Sequence, residues 1–167
     1  QALGVRQGIT VVGTAKQLGW TDVSFLTSSA GFLEPVAMVP GGVTDGLYAS
    51  AGWQDLRARA DEEAPAAFIA AYEARYGQPA SGFAMLGYTA AEQMVMALEA
   101  AGPDLTTEGF VAAMEALDYD DPLLGTHINF GTGHQGANNI FISQVGEGHW
   151  NTLAEIDGDT MQEVPME

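Results

Sequence analysis

The spacing of apolar and polar residues predicts three successive helices between residues 65 and 117. In the first, Phe68, Tyr72 and Tyr76 recur every fourth position and form an aromatic stripe that ends at Gly77. The second begins near Phe83, and its predicted apolar face comprises Leu86, Ala90, Met94, Ala97 and Ala101. The third follows a cap at Asp104 or Thr106, and its predicted apolar face comprises Phe110, Val111, Met114 and Leu117. Three helices in roughly 55 residues need a sheet on which to pack.

Strand patterns lie on both sides of this helical block. The strongest is residues 139–145, and a short apolar run at 46–50 precedes the helices. Residues 23–26 form a further candidate strand, which follows a helix-like segment at 9–18. Weaker candidates are residues 127–130 and 149–153, which are joined through glycine-rich turns. The alternation of strands and helices predicts an α/β fold.

Composition narrows the class of protein. The 167 residues are 47% hydrophobic, which suffices for the core of an ordinary domain. A net charge of −17, from 22 acidic and 5 basic residues, excludes nucleic acid as a partner because binding it requires cationic side chains. The chain has no cysteine, and it carries no apolar run long enough to cross a bilayer. It opens with Gln1 and no apolar signal region, so we expect a processed or trimmed piece.

The polar residues form no catalytic or metal-binding constellation. His127, His134 and His149 lack the paired spacing of metal ligands on a helix. The acidic runs at 118–121 and 157–159 lack the repeat of a calcium loop and are predicted to be surface turns. The glycine-rich stretches lack a phosphate-loop lysine, and no nucleophile elbow is present. We therefore predict no enzymatic activity, no metal site and no cofactor.

Three sequence runs together point to a family. FIAAYEARYG at 68–77, YTAA at 88–91 and AAGPDLT at 100–106 resemble the C-terminal half of the leucine/isoleucine/valine-type periplasmic binding proteins. The resemblance implies the type I periplasmic-binding-protein fold, an α/β fold with two Rossmann-like lobes and three crossing strands, of which this chain is a partial copy. Residues 1–47 would then belong to the second lobe, 48–132 to the C-terminal half of the first lobe, and 133–167 to a hinge crossing and the return to the second lobe.

The same resemblance implies a function without catalysis. It predicts the solute-binding component of an ABC importer, located in the periplasm or outside the cell, which closes around a small organic ligand. The ligand would be an amino acid or an aromatic or aliphatic carboxylate. The implied partners are this small molecule, an ABC permease in the membrane and the missing N-terminal half of the same protein.

The resemblance also implies particular ligand contacts. The family's carboxylate, which binds the ligand ammonium, falls on Ser29, so a free aliphatic amino acid is disfavoured, while Ser28 and Ser29 still offer hydroxyls to a polar head. Phe83 falls on an aromatic that lines the apolar pocket. Gly4 falls on a second aromatic contact, whose ring is therefore missing here. Tyr48 is placed near the return crossing and is predicted to line the cleft.

Alternatives remain open for each of these residues and for the function. Phe83 would serve equally as core packing, and the serine pair as a turn cap. Tyr48 and the neighbouring Trp53 would equally pack at a hinge. A ligand-sensing regulatory domain of the same fold is the alternative function. A small α/β enzyme ranks lower, because it requires the acids and histidines to converge in one cavity with perturbed pKa values.

Overall fold

The structure of the chain, a computed structural model, describes residues 4–131 and 133–165. The helices are α1 (Val5–Gln17), α2 (Glu34–Ala37), α3 (Glu63–Tyr76), α4 (Gly82–Ala101) and α5 (Thr107–Glu115). The strands are β1 (Leu26–Thr27), β2 (Tyr48–Ala51), β3 (Asp118–Asp121), β4 (Thr126–Asn129), β5 (Ile140–Gly146), β6 (His149–Ile156) and β7 (Glu163–Val164). The predicted α/β class is confirmed.

Five strands form one sheet in the order β1-β2-β5-β6-β7, and β3 and β4 form a separate hairpin. The β1–β2 pair is parallel, whereas the other pairs of the large sheet are antiparallel. Four predicted strands are confirmed within one to three residues of their ends. The candidate at 23–26 is displaced, because only Leu26 and Thr27 pair with β2.

The large sheet, α1 and the short α2 enclose a first hydrophobic core, which we call the sheet core. Its centre is Trp150, whose side chain is fully buried and whose ring lies 5.1 Å from that of Phe32. The indole Nε1–H donates to the carbonyl oxygen of Leu33 at 3.1 Å, so burial leaves this polar atom satisfied. The buried members of the sheet core are Val12, Phe32, Val36, Ala37, Leu47, Ala49, Ala51, Val145 and Trp150.

A second core, the helix core, lies under α3, α4 and the β3–β4 hairpin. Its buried members are Leu56, Ala80, Met85, Leu123, Leu124 and Ile128. The predicted aromatic stripe of α3 is confirmed: the rings of Phe68 and Tyr72 are 5.9 Å apart, and those of Tyr72 and Tyr76 are 4.7 Å apart. Gly77 ends α3 in the left-handed conformation, as its position predicts. Trp53 packs against both cores and therefore lies at their junction.

The predicted apolar face of α4 is confirmed in part, since Ala97 is buried and Leu86 packs against the helix core. Met85, Thr89 and Ala97 are buried, whereas Ala90 and Met94 are exposed. The helix is apolar on most of its circumference, so its pattern does not select one face. Thr89 tolerates burial because its hydroxyl donates to the carbonyl oxygen of Met85. Along the described part of the chain, no helix combines the length and apolarity needed to cross a membrane.

In α5 the structure decides between the two proposed caps. Thr106 is the cap, since its hydroxyl accepts a hydrogen bond from the N–H of Gly109 at 3.0 Å. Val111, which was predicted to belong to the buried face, is exposed, whereas Leu117 beyond the helix is buried. The apolar face of α5 is therefore narrower than its sequence predicts.

The surface turn predicted at residues 118–121 is wrong, because these residues form β3. Aspartate is a poor strand former, which is why the run favoured a turn. His127 of β4 compensates, since its ring nitrogens lie 2.9 Å from Asp118 and 2.8 Å from Asp120. The hydrogen bond to Asp120 raises the pKa of the His127 imidazole above its usual value. Asp121 is buried, and its Oδ1 accepts the N–H groups of the two leucines in the following turn.

The other predicted acidic turn is confirmed. Asp157 follows β6, and its Oδ1 accepts the N–H groups of Asp159 at 2.9 Å and Thr160 at 2.7 Å. These bonds, with the Thr160 amide contributing most, lower the pKa of the Asp157 carboxyl. The carboxylate thus closes a turn of the backbone.

Candidate functional site

A cavity of about 520 Å³ lies where the sheet core and the helix core meet, and we call it the junction cavity. Its walls come from the α2 segment, from the turn after β2, from the connection between α3 and α4, and from the β5–β6 turn. Its volume is within the range of small-molecule sites. The lining residues are Glu34, Pro35, Met38, Asp55, Arg57, Glu73, Pro79, Ala80, Ser81, Gly148 and His149.

The N-terminus of α4 forms one edge of the junction cavity. Ser81 caps the helix, because its hydroxyl accepts a hydrogen bond from the N–H of Ala84 at 3.2 Å. The N–H of Gly82 donates to Oε1 of Glu34, which lies in the first turn of α2. A carboxylate at this end of a helix is favoured by the free N–H groups and by the helix dipole. The two helices are therefore joined across the cavity by a charged acceptor.

Asp55 is the buried acid of the cavity, with 6% of its surface exposed. Its Oδ1 accepts the N–H groups of Arg57 at 2.9 Å and Ala58 at 2.8 Å, so the side chain fixes the turn that follows β2. Burial is the main cause that raises the pKa of the Asp55 carboxyl, and the charge of Glu34 adds to it. The two backbone hydrogen bonds oppose this rise.

Arg57 is the cation of the cavity. Its guanidinium donates to the carbonyl oxygen of Ala80 at 2.8 Å and pairs with Glu73 at 3.3 Å. The pair is partly exposed, so its contribution to stability is small. Pro35, Met38 and other apolar side chains supply the remaining wall. The cavity thus combines an apolar wall with charged groups at its edges, which is the arrangement of a site for a small organic molecule.

The two serines predicted to contact the ligand lie in the loop after β1. Ser28 is half-buried and precedes the 3₁₀ turn Ser29–Gly31, and Ser29 is exposed. The capping alternative is wrong for Ser28, because its side chain makes no cap hydrogen bond to this turn. Thr27, just before them, is buried, and its Oγ1 has no hydrogen-bond partner among the described residues. Both serine hydroxyls therefore remain candidates for a polar ligand group.

Phe83 lies in the first turn of α4, immediately after Gly82. Its side chain is 68% exposed, so the alternative that it serves as core packing is wrong in this chain. It does not line the junction cavity, although Ser81, two residues before it, does. Its role in binding stays a prediction.

The remaining predicted contacts lie elsewhere in the fold. Tyr48 is half-buried in β2 and lines a separate cavity of about 390 Å³ together with Lys16 and Trp20. Gly4 is exposed and stands at the N-cap of α1. Trp53 is half-buried between the two cores, in ring contact with Phe32 at 6.2 Å, which agrees with the hinge-packing alternative. The predicted contacts are thus spread over several surfaces of this chain.

Sequence reasoning did not identify Glu34 and Asp55 as residues of a site. The Glu-Pro step at 34–35 is a helix-start signal, but nothing local indicates that its carboxylate reaches α4. Asp55 stands near Trp53 and Leu56 in the sequence. An isolated acid in an apolar segment is the signal that could have identified it as a buried residue. Within residues 4–131 and 133–165, no group of three or more acids and histidines is placed to hold a metal ion.

Comparison with known proteins identifies the family. The model of the family described as periplasmic binding protein matches residues 1–149. The comparison with curated proteins gives no sequence match. Solved structures give many, and the fold agrees along most of the chain.

Three solved structures illustrate the similarity. A fatty acid ABC transporter substrate-binding protein from Thermomonospora curvata superposes with a TM-score of 0.76 at 26% identity, covering 90% of this chain and 40% of that protein. A leucine-binding protein from Thermotoga maritima gives 0.68 at 21% identity, covering 94% and 44%. A solute-binding protein from R. palustris in complex with benzoate gives 0.67 at 20% identity, covering 95% and 41%.

The chain therefore spans less than half the length of the solved proteins it matches. The type I fold expected from the resemblance is confirmed as a partial copy. With a family match over 149 of 167 residues and an agreeing fold, this chain belongs to the periplasmic binding protein family.

Proposed function

We propose that the chain is part of the extracytoplasmic solute-binding component of an ABC importer, which captures a small organic molecule without altering it. The observation that carries the proposal is the family match over residues 1–149, in a chain whose two cores enclose a cavity of ligand size. A location in the periplasm or outside the cell and an interaction with an ABC permease follow from this role.

The ligand we propose has an apolar body and a polar head. Solved relatives are named for a fatty acid, for leucine and for benzoate, which share this division. Phe83, which is exposed two residues after Ser81 of the junction cavity, would contact the apolar body, while Ser28 and Ser29 would hydrogen-bond to the head. Since a hydroxyl pairs with an ammonium more weakly than a carboxylate does, a carboxylate ligand is preferred over a free amino acid. Tyr48, which lines a separate cavity in this chain, would line the cleft of the complete protein, and Gly4 would leave room for the ligand there.

The proposed mechanism is closure of two lobes around the ligand. We assign residues 1–47 to the second lobe, 48–132 to the first, and 133–167 to the hinge crossing and the return to the second lobe. The presence of two separate cores supports a division into lobes, with Ala49 and Ala51 of β2 belonging to the sheet core and Trp53 packing against both cores. Ligand contacts from both lobes favour the closed state to the extent that they bind it more tightly than the open one.

We propose that the outer face of α4 packs against the remainder of the type I fold. That face exposes large apolar side chains, namely Tyr88, Met94, Val95 and Leu98. A contiguous exposed apolar surface marks a contact with another part of a protein. The matched proteins are more than twice as long as this chain, so they contain further residues that would cover such a face.

An enzyme is the weaker candidate, although the junction cavity gathers Glu34, Asp55, Glu73 and His149. The raised pKa of Asp55 is the perturbation that an enzyme would use. However, the Oδ1 atom of Asp55 accepts two backbone hydrogen bonds, and Glu73 pairs with Arg57. These contacts give the acids structural roles.

Calorimetric titration of the full polypeptide that carries residues 1–167 tests the proposed function. The probes are benzoate, octanoate, L-leucine and L-valine. Each is recovered after the titration, and its mass is measured by mass spectrometry. We expect one-site binding of at least one probe, which is recovered unchanged. Phe83→Ala should weaken binding about tenfold, because it removes a large apolar contact.

Val111→Ala is the matched control, since Val111 is also exposed and apolar but lies on α5, outside the α4 face that we propose is covered. It should leave the affinity within about twofold of that of the unmodified protein. Failure of all four probes to bind would overturn the proposed ligand class. Chemical conversion of a probe would overturn capture without catalysis, and equal affinities for Phe83→Ala and the unmodified protein would overturn the proposed role of Phe83.

A further inference from the structure

The side chain of Glu34 connects the two cores through a hydrogen bond between residues that are 48 positions apart. It belongs to α2, whose Val36 and Ala37 are buried in the sheet core. Its Oε1 accepts the N–H of Gly82 in α4, whose Met85 is buried in the helix core. Each end of the contact is therefore fixed to a different core.

Both ends of this contact are rigidly placed. Glu34 stands in the first turn of a helix that contains Pro35, which restricts the backbone at that point. On the other side, Ser81 caps α4 and holds the first turn of the helix in place. A charged hydrogen bond between two fixed helix ends restrains their relative position more than a bond between mobile loops does.

The electrostatic surroundings favour this contact over the alternatives within the cavity. Asp55 lies close enough for its charge to interact unfavourably with that of Glu34. Arg57, the nearby cation, is engaged by the carbonyl oxygen of Ala80 and by Glu73. The N-terminus of α4 is thus the favourable partner that the cavity offers to the Glu34 carboxylate.

We propose that Glu34 is a latch between the two lobes: its carboxylate, seated on the N–H of Gly82, holds the sheet core and the helix core together. The latch acts on the turn of α4 that carries Phe83, so it also fixes the position of the residue proposed to contact the ligand. The division into lobes and this second consequence rest on the proposed function, whereas the hydrogen bond between the two cores does not.

Electron paramagnetic resonance distance measurements test the latch without any ligand. Residues 1–167 contain no cysteine, and any cysteine elsewhere in the full polypeptide is replaced by serine, so that spin labels on Gln17→Cys in α1 and Ala100→Cys in α4 report the separation of the two cores. Both positions are exposed. In the full polypeptide with native Glu34, we expect one dominant distance. Glu34→Ala should shift the ratio of the short-distance to the long-distance population roughly tenfold toward the longer one, the usual effect of losing a charged hydrogen bond.

Two further variants make the outcome specific. Glu34→Asp keeps the charge but shortens the side chain, so it should behave like Glu34→Ala. Glu99→Gln, an exposed acid elsewhere on α4, removes the same charge and should leave the distances unchanged. Circular dichroism melting establishes that each variant is folded before it is labelled.

An unchanged distance distribution in folded Glu34→Ala would overturn the latch, as would an equal change in Glu99→Gln. Because no ligand is present, the latch fails or succeeds separately from the proposed function: the titrations with benzoate, octanoate, L-leucine and L-valine decide the latter. If Glu34→Ala does not fold, the milder Glu34→Asp variant decides the question by the same measurement.

Discussion

The sheet core and the outer face of α4 differ in how completely their apolar side chains are covered. Trp150 in the sheet core is fully buried, and its indole nitrogen is hydrogen-bonded. On α4, Met94, Val95 and Leu98 are exposed although the helix is apolar on most of its surface. Residues 4–131 and 133–165 thus complete one core and leave one helix face uncovered. A part of a fold can therefore contain a finished core beside a surface that is suited to further contact.

The largest expected difference in stability is between a substitution in the sheet core and one on the exposed face of α4. Trp150→Ala should lower the free energy of unfolding by about 4 kcal/mol, because it leaves a large cavity and removes the hydrogen bond to Leu33. Val95→Ala on the exposed face of α4 should change it by less than about 0.5 kcal/mol. Guanidinium denaturation of the 167-residue chain measures both. Similar losses in the two variants would show that the α4 face is not uncovered.

A loss of stability of intermediate size is expected in the helix core, where Arg59 connects segments that are distant in sequence. The buried guanidinium donates to the carbonyl oxygens of Pro122 at 2.7 Å and Leu123 at 3.2 Å, and it pairs with Glu62. Gly125, with φ of 68°, lies so close to this side chain that a Cβ atom would collide with it. Arg59→Ala should cost about 2 kcal/mol, because it leaves two carbonyl groups without their donor.

Urea denaturation checks the Arg59 prediction, with Arg75→Ala as its control. Arg75 is exposed on α3 and lies over the ring of Tyr76 at 5.6 Å, so its removal should cost less than about 1 kcal/mol. Equal losses for the two arginines would contradict a specific role for Arg59.

The smallest expected effect depends on pH. It concerns Asp55, in the junction cavity between the sheet core and the helix core. Burial raises the pKa of Asp55 in the folded state above its ordinary value of 3.8. The folded protein therefore binds this proton more tightly than the unfolded chain does. The contribution of Asp55 to stability is complete below pH 3.8 and is lost as the pH rises through the raised pKa.

Asp55→Asn removes this titration while keeping an oxygen that accepts the N–H groups of Arg57 and Ala58. Urea denaturation between about pH 3 and 7 gives the stability of both proteins. The stability of the unmodified protein relative to Asp55→Asn should decline as the pH rises. Parallel curves for the two proteins would contradict the proposed burial of a titrating carboxyl.

Elements with a clear pattern were predictable from the sequence, and those with an ambiguous pattern were not. Alternating burial along β5 and the four-residue repeat of Phe68, Tyr72 and Tyr76 are local properties, so both the strand and the stripe were identified. The buried face of α4 was predicted only at Leu86 and Ala97, because apolar residues surround the helix. The strand β3 was missed because its aspartates are stabilised by His127, a partner from the next strand.

The junction cavity was harder to predict than the fold. The family resemblance pointed to Ser28, Ser29 and Phe83, each by its position in a motif, whereas Glu34 reaches Gly82 across 48 residues of sequence. Local composition and periodicity do not predict a contact between residues so far apart in sequence. Asp55 was missed for the same reason, since its significance arises from burial between elements that are distant in sequence.

Native mass spectrometry tests the central claim most directly, namely that this chain is part of a two-lobed protein that binds a small organic molecule. The full polypeptide that carries residues 1–167 and the 167-residue chain alone are each mixed with benzoate, octanoate, L-leucine and L-valine. The account predicts a one-to-one complex of the full polypeptide with at least one of these molecules and no complex of the 167-residue chain. A complex of equal affinity with the 167-residue chain alone would contradict it.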